Sequence, residues 1–114
     1  KFQVGDLRGA IEDCNRAIQF NPQDSLIYLN RGMARLGLGD RLGALTDYNR
    51  SINRDRSVPN AYYSRGLLKM ELEDRQGANA DLQAAAKLYL KFNNKAKYQL
   101  TLGKITELEN GKSD

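Results

Sequence analysis

Apolar residues recur along this chain three and four positions apart. Between residues 25 and 38 they fall at Leu26, Leu29, Met33 and Leu36, with no proline among them. That spacing predicts a helix with one apolar face. Gly37-Leu38-Gly39-Asp40 then breaks the pattern. The glycines give a tight turn its freedom, and Asp40 suits the N-cap of a second helix. A second stripe, Leu45, Tyr48 and Ile52, predicts that helix over about 41–54. Asn21-Pro22 ends the element before this pair, and Pro59 stands where the next helix begins.

The pair is written more than once. The stretch from Tyr28 shares Arg31, Gly32, Leu38, Asp40, Arg41, Gly43, Ala44 and Asp47 with the stretch from Tyr62, where Arg65, Gly66, Leu72, Asp74, Arg75, Gly77, Ala78 and Asp81 stand 34 positions later. Upstream, residues 5–18 align with 39–52 at the same offset. A fixed period of this length marks stacked supersecondary units, none of which buries its apolar face alone. Gly32 with Ala44, and Gly66 with Ala78, are small enough for two helices to approach closely, while Tyr28 and Tyr48 fill the rest of the pair.

The offset, the Tyr-then-Gly of the first helix, the Gly-Asp turn, the Ala and Tyr of the second helix and the Asn-Pro exit together resemble the tetratricopeptide repeat. The resemblance spans nearly the whole chain. It implies an all-α fold: a right-handed superhelical solenoid of antiparallel helix pairs, first helices lining a concave groove. On that reading residues 1–23 are a partial first unit, mainly its second helix, with Lys1 to Val4 as the last turn of a preceding first helix. Residues 24–58 and 59–92 are whole units, 93–110 a C-terminal capping helix and 111–114 a disordered tail. Arg31 and Arg65 occupy a slot the family usually gives to leucine. They are expected to pair with Asp47 and Asp81 as partly buried bidentate contacts. Asp13 and Asp47 of the preceding units are the alternative partners.

Composition removes more than it adds. Of 114 residues 40% are apolar and 28% charged, which suits a globular chain. No apolar run is long enough to cross a bilayer. There is no histidine, so the usual general base and commonest metal ligand are missing. No Walker loop, paired-cysteine metal site or hydrolase elbow appears. The expectation is therefore no catalytic residue, no metal site, no cofactor and no enzyme. One cysteine, Cys14, excludes an intramolecular disulfide and suits a reducing, intracellular compartment. It falls in the slot of Tyr48 and Leu82 and reads as a small buried hydrophobe. Gly9, Gly43 and Gly77 fall in the first turn of second helices without the grouping of a phosphate loop.

What remains is surface. Carried over from the resemblance, the groove face is Leu26, Leu29, Asn30, Met33 and Leu36 in one unit and Asn60, Tyr63, Ser64, Leu67 and Met70 in the next, with Lys97, Tyr98 and Thr101 of the last helix extending the wall. An exposed face so rich in leucine, tyrosine and methionine suits a peptide or helical segment of a protein partner. Cover of these residues by the capping helix or by a missing upstream repeat is the competing reading. A clamp for an acidic C-terminus fits poorly, because Asn60 and Ser64 stand where such clamps have basic residues. The net charge of +4 is mild and its signs are interleaved, which disfavours nucleic acid and suggests no membrane attachment. The run Lys87, Lys91, Lys95 and Lys97 offers an RNA or acidic-partner alternative if its helix is continuous. A self-association module is the second alternative.

Overall fold

The structure, a computed structural model, describes residues 3–111. Among them are six helices and no strand: α1 (Val4–Phe20), α2 (Ser25–Gly37), α3 (Arg41–Arg54), α4 (Pro59–Glu71), α5 (Arg75–Lys91) and α6 (Lys95–Asn110). They group into two compact units, residues 1–56 and 57–114. In the first unit α2 packs against both α1 and α3; in the second α5 packs against both α4 and α6.

The helix boundaries follow from local chemistry. Asp40 accepts a hydrogen bond from the Gly43 amide at 2.9 Å and Asp74 from the Gly77 amide at 3.0 Å, satisfying donors that a helix start leaves free. Asn94 caps α6 by accepting from the Lys97 amide at 3.1 Å. Pro59 opens α4, where a missing N–H costs nothing. α2, α4 and α5 all end on a left-handed residue: Gly39 (φ 89°), Glu73 (φ 63°) and Asn93 (φ 62°). Each is followed by an amide that reaches back to a helix carbonyl: Asp40 to Arg35, Asp74 to Lys69, Asn94 to Tyr89. This is the Schellman arrangement. Glu73 adopts it without glycine's freedom.

The recurring Gly43 and Gly77 have a structural reason. A Cβ at Gly43 would lie 2.1 Å from Asp40 Oδ2, and one at Gly77 2.2 Å from Asp74 Oδ2. The capping carboxylates occupy that space. The first Gly-Asp pair behaves differently. Gly5 and Asp6 lie inside α1, which starts at Val4 after an extended Gln3. Val4 is therefore the start of a helix and not the last turn of an earlier one; Lys1 and Phe2 lie outside the described residues. Asp6 sits in the first turn of α1, where a negative charge suits the helix dipole. Of the expected disordered tail, Gly111 closes α6 as its C-cap, and residues 112–114 lie outside the described residues.

Close approach in each hairpin runs through glycine, against a partner other than the expected alanine. A Cβ at Gly32 would stand 2.7 Å from Tyr48 Cε1 and 3.1 Å from Asp47 Cβ. At Gly66 it would stand 3.1 Å from Leu82 and 3.3 Å from Asp81 Cβ. Tyr48 and Leu82 fill one repeat slot, one helix turn beyond the buried Ala44 and Ala78. Tyr28 closes the first unit elsewhere. Its hydroxyl donates to the Pro22 carbonyl at 2.9 Å, and the Arg54 guanidinium lies 4.6 Å above its ring.

Candidate functional site

Both predicted ion pairs form within their own hairpins. Arg31 donates Nη2 to Asp47 Oδ1 at 2.7 Å and Nε to Oδ2 at 2.9 Å. Arg65 donates Nε and Nη2 to the two oxygens of Asp81, both at 2.7 Å. Planar guanidinium meets planar carboxylate in each case, the geometry lysine cannot reproduce. The Asp47 side chain is 0% exposed and gathers further cations: Arg35 Nη1 at 2.9 Å and Arg50 Nη1 at 3.5 Å. Asp81 gathers Lys69 Nζ at 3.2 Å. Asp13 is not a partner of Arg31; it pairs with Arg16 on its own helix, and Arg31 Nη1 donates to Asn15 Oδ1 at 2.9 Å instead. The hydrogen bonds to Asp47 push the Arg31 guanidinium up from its usual value, against the opposing effect of burial, and Asp81 does the same for Arg65. These carboxylates are consumed by architecture. Among the described residues no group of three or more His, Cys, Asp or Glu could hold a metal ion.

The surface expected to bind a partner divides sharply. α2 is gripped by α1 on one side and α3 on the other, so its buried arc is wide: Tyr28, Leu29, Arg31, Gly32 and Ala34. Leu29, expected on the exposed face, is therefore 4% exposed, and Leu36 is half-buried. A narrow stripe stays open, with Leu26 at 51%, Met33 at 52% and Asn30 exposed between them. Asn30 and Met33, with Ala34 and Gly37, face Asp6, Leu7 and Ala10 of α1 across a cleft of about 530 Å³. Its walls are mostly apolar. The α1 wall was missed from sequence, although Leu7, Ala10 and Cys14 form a readable stripe at helical spacing. Cys14 is half-buried, not fully buried as expected, and none of the residues of α1 is fully buried. Burial pushes its thiol up, the main effect, with Arg31 opposing.

In the second unit the corresponding face is taken. Tyr63, Leu67 and Met70 pack against a core of Ala78, Leu82, Ile105 and Leu108 contributed by α5 and α6. Exposure was the expectation here; the last helix covers them instead. The Tyr63 ring meets Tyr89 edge-on at 6.4 Å and 68°, and Lys97 Nζ lies 5.8 Å from the Tyr63 ring centre. Ser64 is half-buried. Asn60 accepts a hydrogen bond from the Tyr89 hydroxyl, which is spoken for. Burial, with Tyr63 adding to it, raises that phenol to about 12. α6 is held at its far end by Arg75, whose Nη1 donates to the Leu108 carbonyl at 3.0 Å and Nη2 to that of Gly111 at 2.7 Å.

The lysine run does not make one face. α5 ends at Lys91, the turn through Asn93 intervenes, and Lys95 and Lys97 open α6. No helix among the described residues is long and apolar enough to cross a membrane.

The chain matches no family model and no curated protein. Solved structures match it closely in fold. The TPR2B domain of yeast Sti1, in its pHsp70 complex, superimposes with a TM-score of 0.86 at 21% identity, over 94% of this chain and 86% of that one. The type III secretion translocator chaperone SycD of Yersinia enterocolitica gives 0.89 at 17% identity, over 96% and 77%. The first TPR of Spaghetti (RPAP3), bound to the HSP90 peptide SRMEEVD, gives 0.84 at 19% identity, over 96% and 82%. The fold is tetratricopeptide-like.

Proposed function

We propose that this chain is a non-enzymatic protein-interaction module whose α1·α2 cleft takes an apolar helical or extended segment of a partner. The observation that carries this reading is the contrast between the two units: α4 covers the α5·α6 core, while the equivalent apolar cleft of the first unit stands open with Met33 half-exposed at its wall. Apolar contiguity that water would otherwise wet is what binding sites are made of. Met33 adapts to varied partners, Leu7 and Ala10 supply a preformed wall, and Asn30 fixes a polar group. Leu26 extends the contact along α2. The structural neighbours support the reading in kind: TPR2B of Sti1 is seen with pHsp70, RPAP3 with an HSP90 peptide and SycD with a peptide of the translocator YopD. In the second unit Asn60, Tyr63, Ser64, Leu67 and Met70 act as packing and Lys97 as its rim.

A displayed library of random peptides tests the site. Selection should yield apolar sequences whose binding falls at least tenfold with Met33→Glu at unchanged circular dichroism. Selected peptides indifferent to Met33→Glu would remove the cleft from the proposal.

A further inference from the structure

Charge is spread unevenly along this chain. Residues 82–106 hold five lysines and no acid, one more positive charge than the whole chain's +4. The remaining residues, 13 basic against 14 acidic, are close to neutral. Topology turns this asymmetry into two ends of the second unit. α4, α5 and α6 run up, down and up, so the end of α4, the start of α5 and the end of α6 come together, and Met70, Glu73, Arg75 and Glu107 line one pocket there. Four of the lysines gather at the opposite end, about 25 Å away along the 17 residues of α5. Lys87 and Lys91 stand in the last two turns of α5, Lys95 and Lys97 in the first turn of α6. They share an end and not a helix face. Salt screens charge over about 10 Å, which keeps the acidic end from neutralising them. All four are exposed, and none meets a carboxylate among the described residues, whereas Lys69 pairs with Asp81 and Lys104 with Glu107. Lys91 and Lys97 rest instead over the rings of Phe92 and Tyr63, each 5.8 Å from the ring centre.

Two large apolar side chains stand between these lysines. α5 starts in the repeat slot of α3 but runs for 17 residues to its 14. In the added turn Leu90 is 55% exposed, and the C-cap Phe92 is 52% exposed. The exposure belongs to the place in the fold. Lys87 stands in the slot of Asn53, which is exposed too although helices follow α3, and α5 and α6 both lead away from the turn toward the other end. We propose that this lysine end of the second unit binds an acidic segment of a protein partner, one that carries apolar residues between its carboxylates. Ammonium groups are point charges, and carboxylates on a flexible chain can meet them one by one. Residues 82–106 contain no arginine, so the two-pronged grip on phosphate is absent, which counts against a nucleic-acid backbone. Lys97 is turned back over Tyr63 of α4, and Lys87 stands a turn back along α5, so the charge wraps around the end of the unit. A flexible chain can follow that path, whereas a flat bilayer meets only part of it. Leu90 and Phe92 hold the apolar residues of such a chain, which a plain polyanion lacks. The site shares no residue with the α1·α2 cleft and does not rest on it.

Fluorescence anisotropy of a labelled peptide that alternates glutamate with leucine and phenylalanine tests this on the whole chain. Binding should fall roughly tenfold as salt rises from about 0.05 to about 0.5 M, because exposed charge pairs are screened. Lys95→Glu with Lys97→Glu should weaken it by roughly tenfold or more. Both substitutions place carboxylates in the first turn of α6, where the helix dipole favours them, so the melting temperature should hold or rise and separate lost binding from lost fold. Leu90→Ser with Phe92→Ser should weaken this peptide roughly threefold and leave a polyglutamate peptide unaffected. Met33→Glu should change neither. No binding at low salt, or binding indifferent to the lysine pair or to the Leu90 and Phe92 pair, would overturn the proposal. So would tighter binding of polyuridylate or of phosphatidylglycerol vesicles than of the peptide.

Discussion

The α5·α6 cleft is filled and the α1·α2 cleft is open, although both are built from one repeat. Ala78 and Leu82 are wholly buried because α4 and α6 bracket α5. Their counterparts Ala10 and Cys14 carry the same helical register and remain partly in water. A residue's slot in a solenoid repeat therefore fixes which way it points, and its neighbour decides whether it is core or site. The two aspartates differ in the opposite sense. Asp47 collects three arginines at 0% side-chain exposure; Asp81 collects one arginine and one lysine at 5%.

That comparison can be broken at its strongest point first. Asp47→Ala strands Arg31 and Arg35 without their carboxylate, a loss of roughly 3–5 kcal/mol for a broken buried pair. Asp81→Ala should lose less, since its bidentate arginine is more exposed, 19% against 10%, and the carboxylate itself is slightly less buried. Urea unfolding of the two variants orders them, and an Asp47→Ala protein as stable as wild type would contradict the pairing's role.

Leu67→Glu against Met33→Glu probes filled against open directly. The first pushes a carboxylate into packed core and should cost about 2–4 kcal/mol; the second, on a half-exposed side chain, should stay within about 0.5 kcal/mol. Equal losses in thermal melts would erase the distinction between the clefts.

Alkaline pH reads the second unit through Tyr89. The folded phenol of Tyr89 stands at about 12, above its usual 10, because burial penalises the phenolate. The unfolded chain thus loses its proton first. The contribution is full below pH 10 and falls as pH climbs toward 12, by up to about 2 kcal/mol. A Tyr89→Phe protein should lack this component, and identical stability profiles for the two chains would contradict it.

The smallest effect has the opposite sign. The buried Ser51 hydroxyl has no hydrogen-bond partner among the described residues, and the same register holds alanine at Ala17 and Ala85. Ser51→Ala should stabilise the first unit by about 1 kcal/mol, seen as a raised melting temperature. A lowered one would mean the hydroxyl does find a partner.

The helices, their caps at Asp40 and Asp74, the Pro59 start and the pairs Arg31–Asp47 and Arg65–Asp81 were legible in the sequence. Each rests on contacts within a turn or at the fixed repeat offset, and residue type with spacing specifies such contacts. What only tertiary structure decided was cover. Leu29 and Leu67 look as exposed as Met33 in the pattern, because one helix's periodicity gives a direction and not a neighbour. The Lys87-to-Lys97 run makes one face only on a continuous helix, and the turn at Asn93 interrupts it. The cleft wall of Leu7 and Ala10 came from a helix whose pattern showed an apolar stripe with no hint of what lay against it. Burial is a property of pairs of elements, and these pairs form across the fold rather than along the chain.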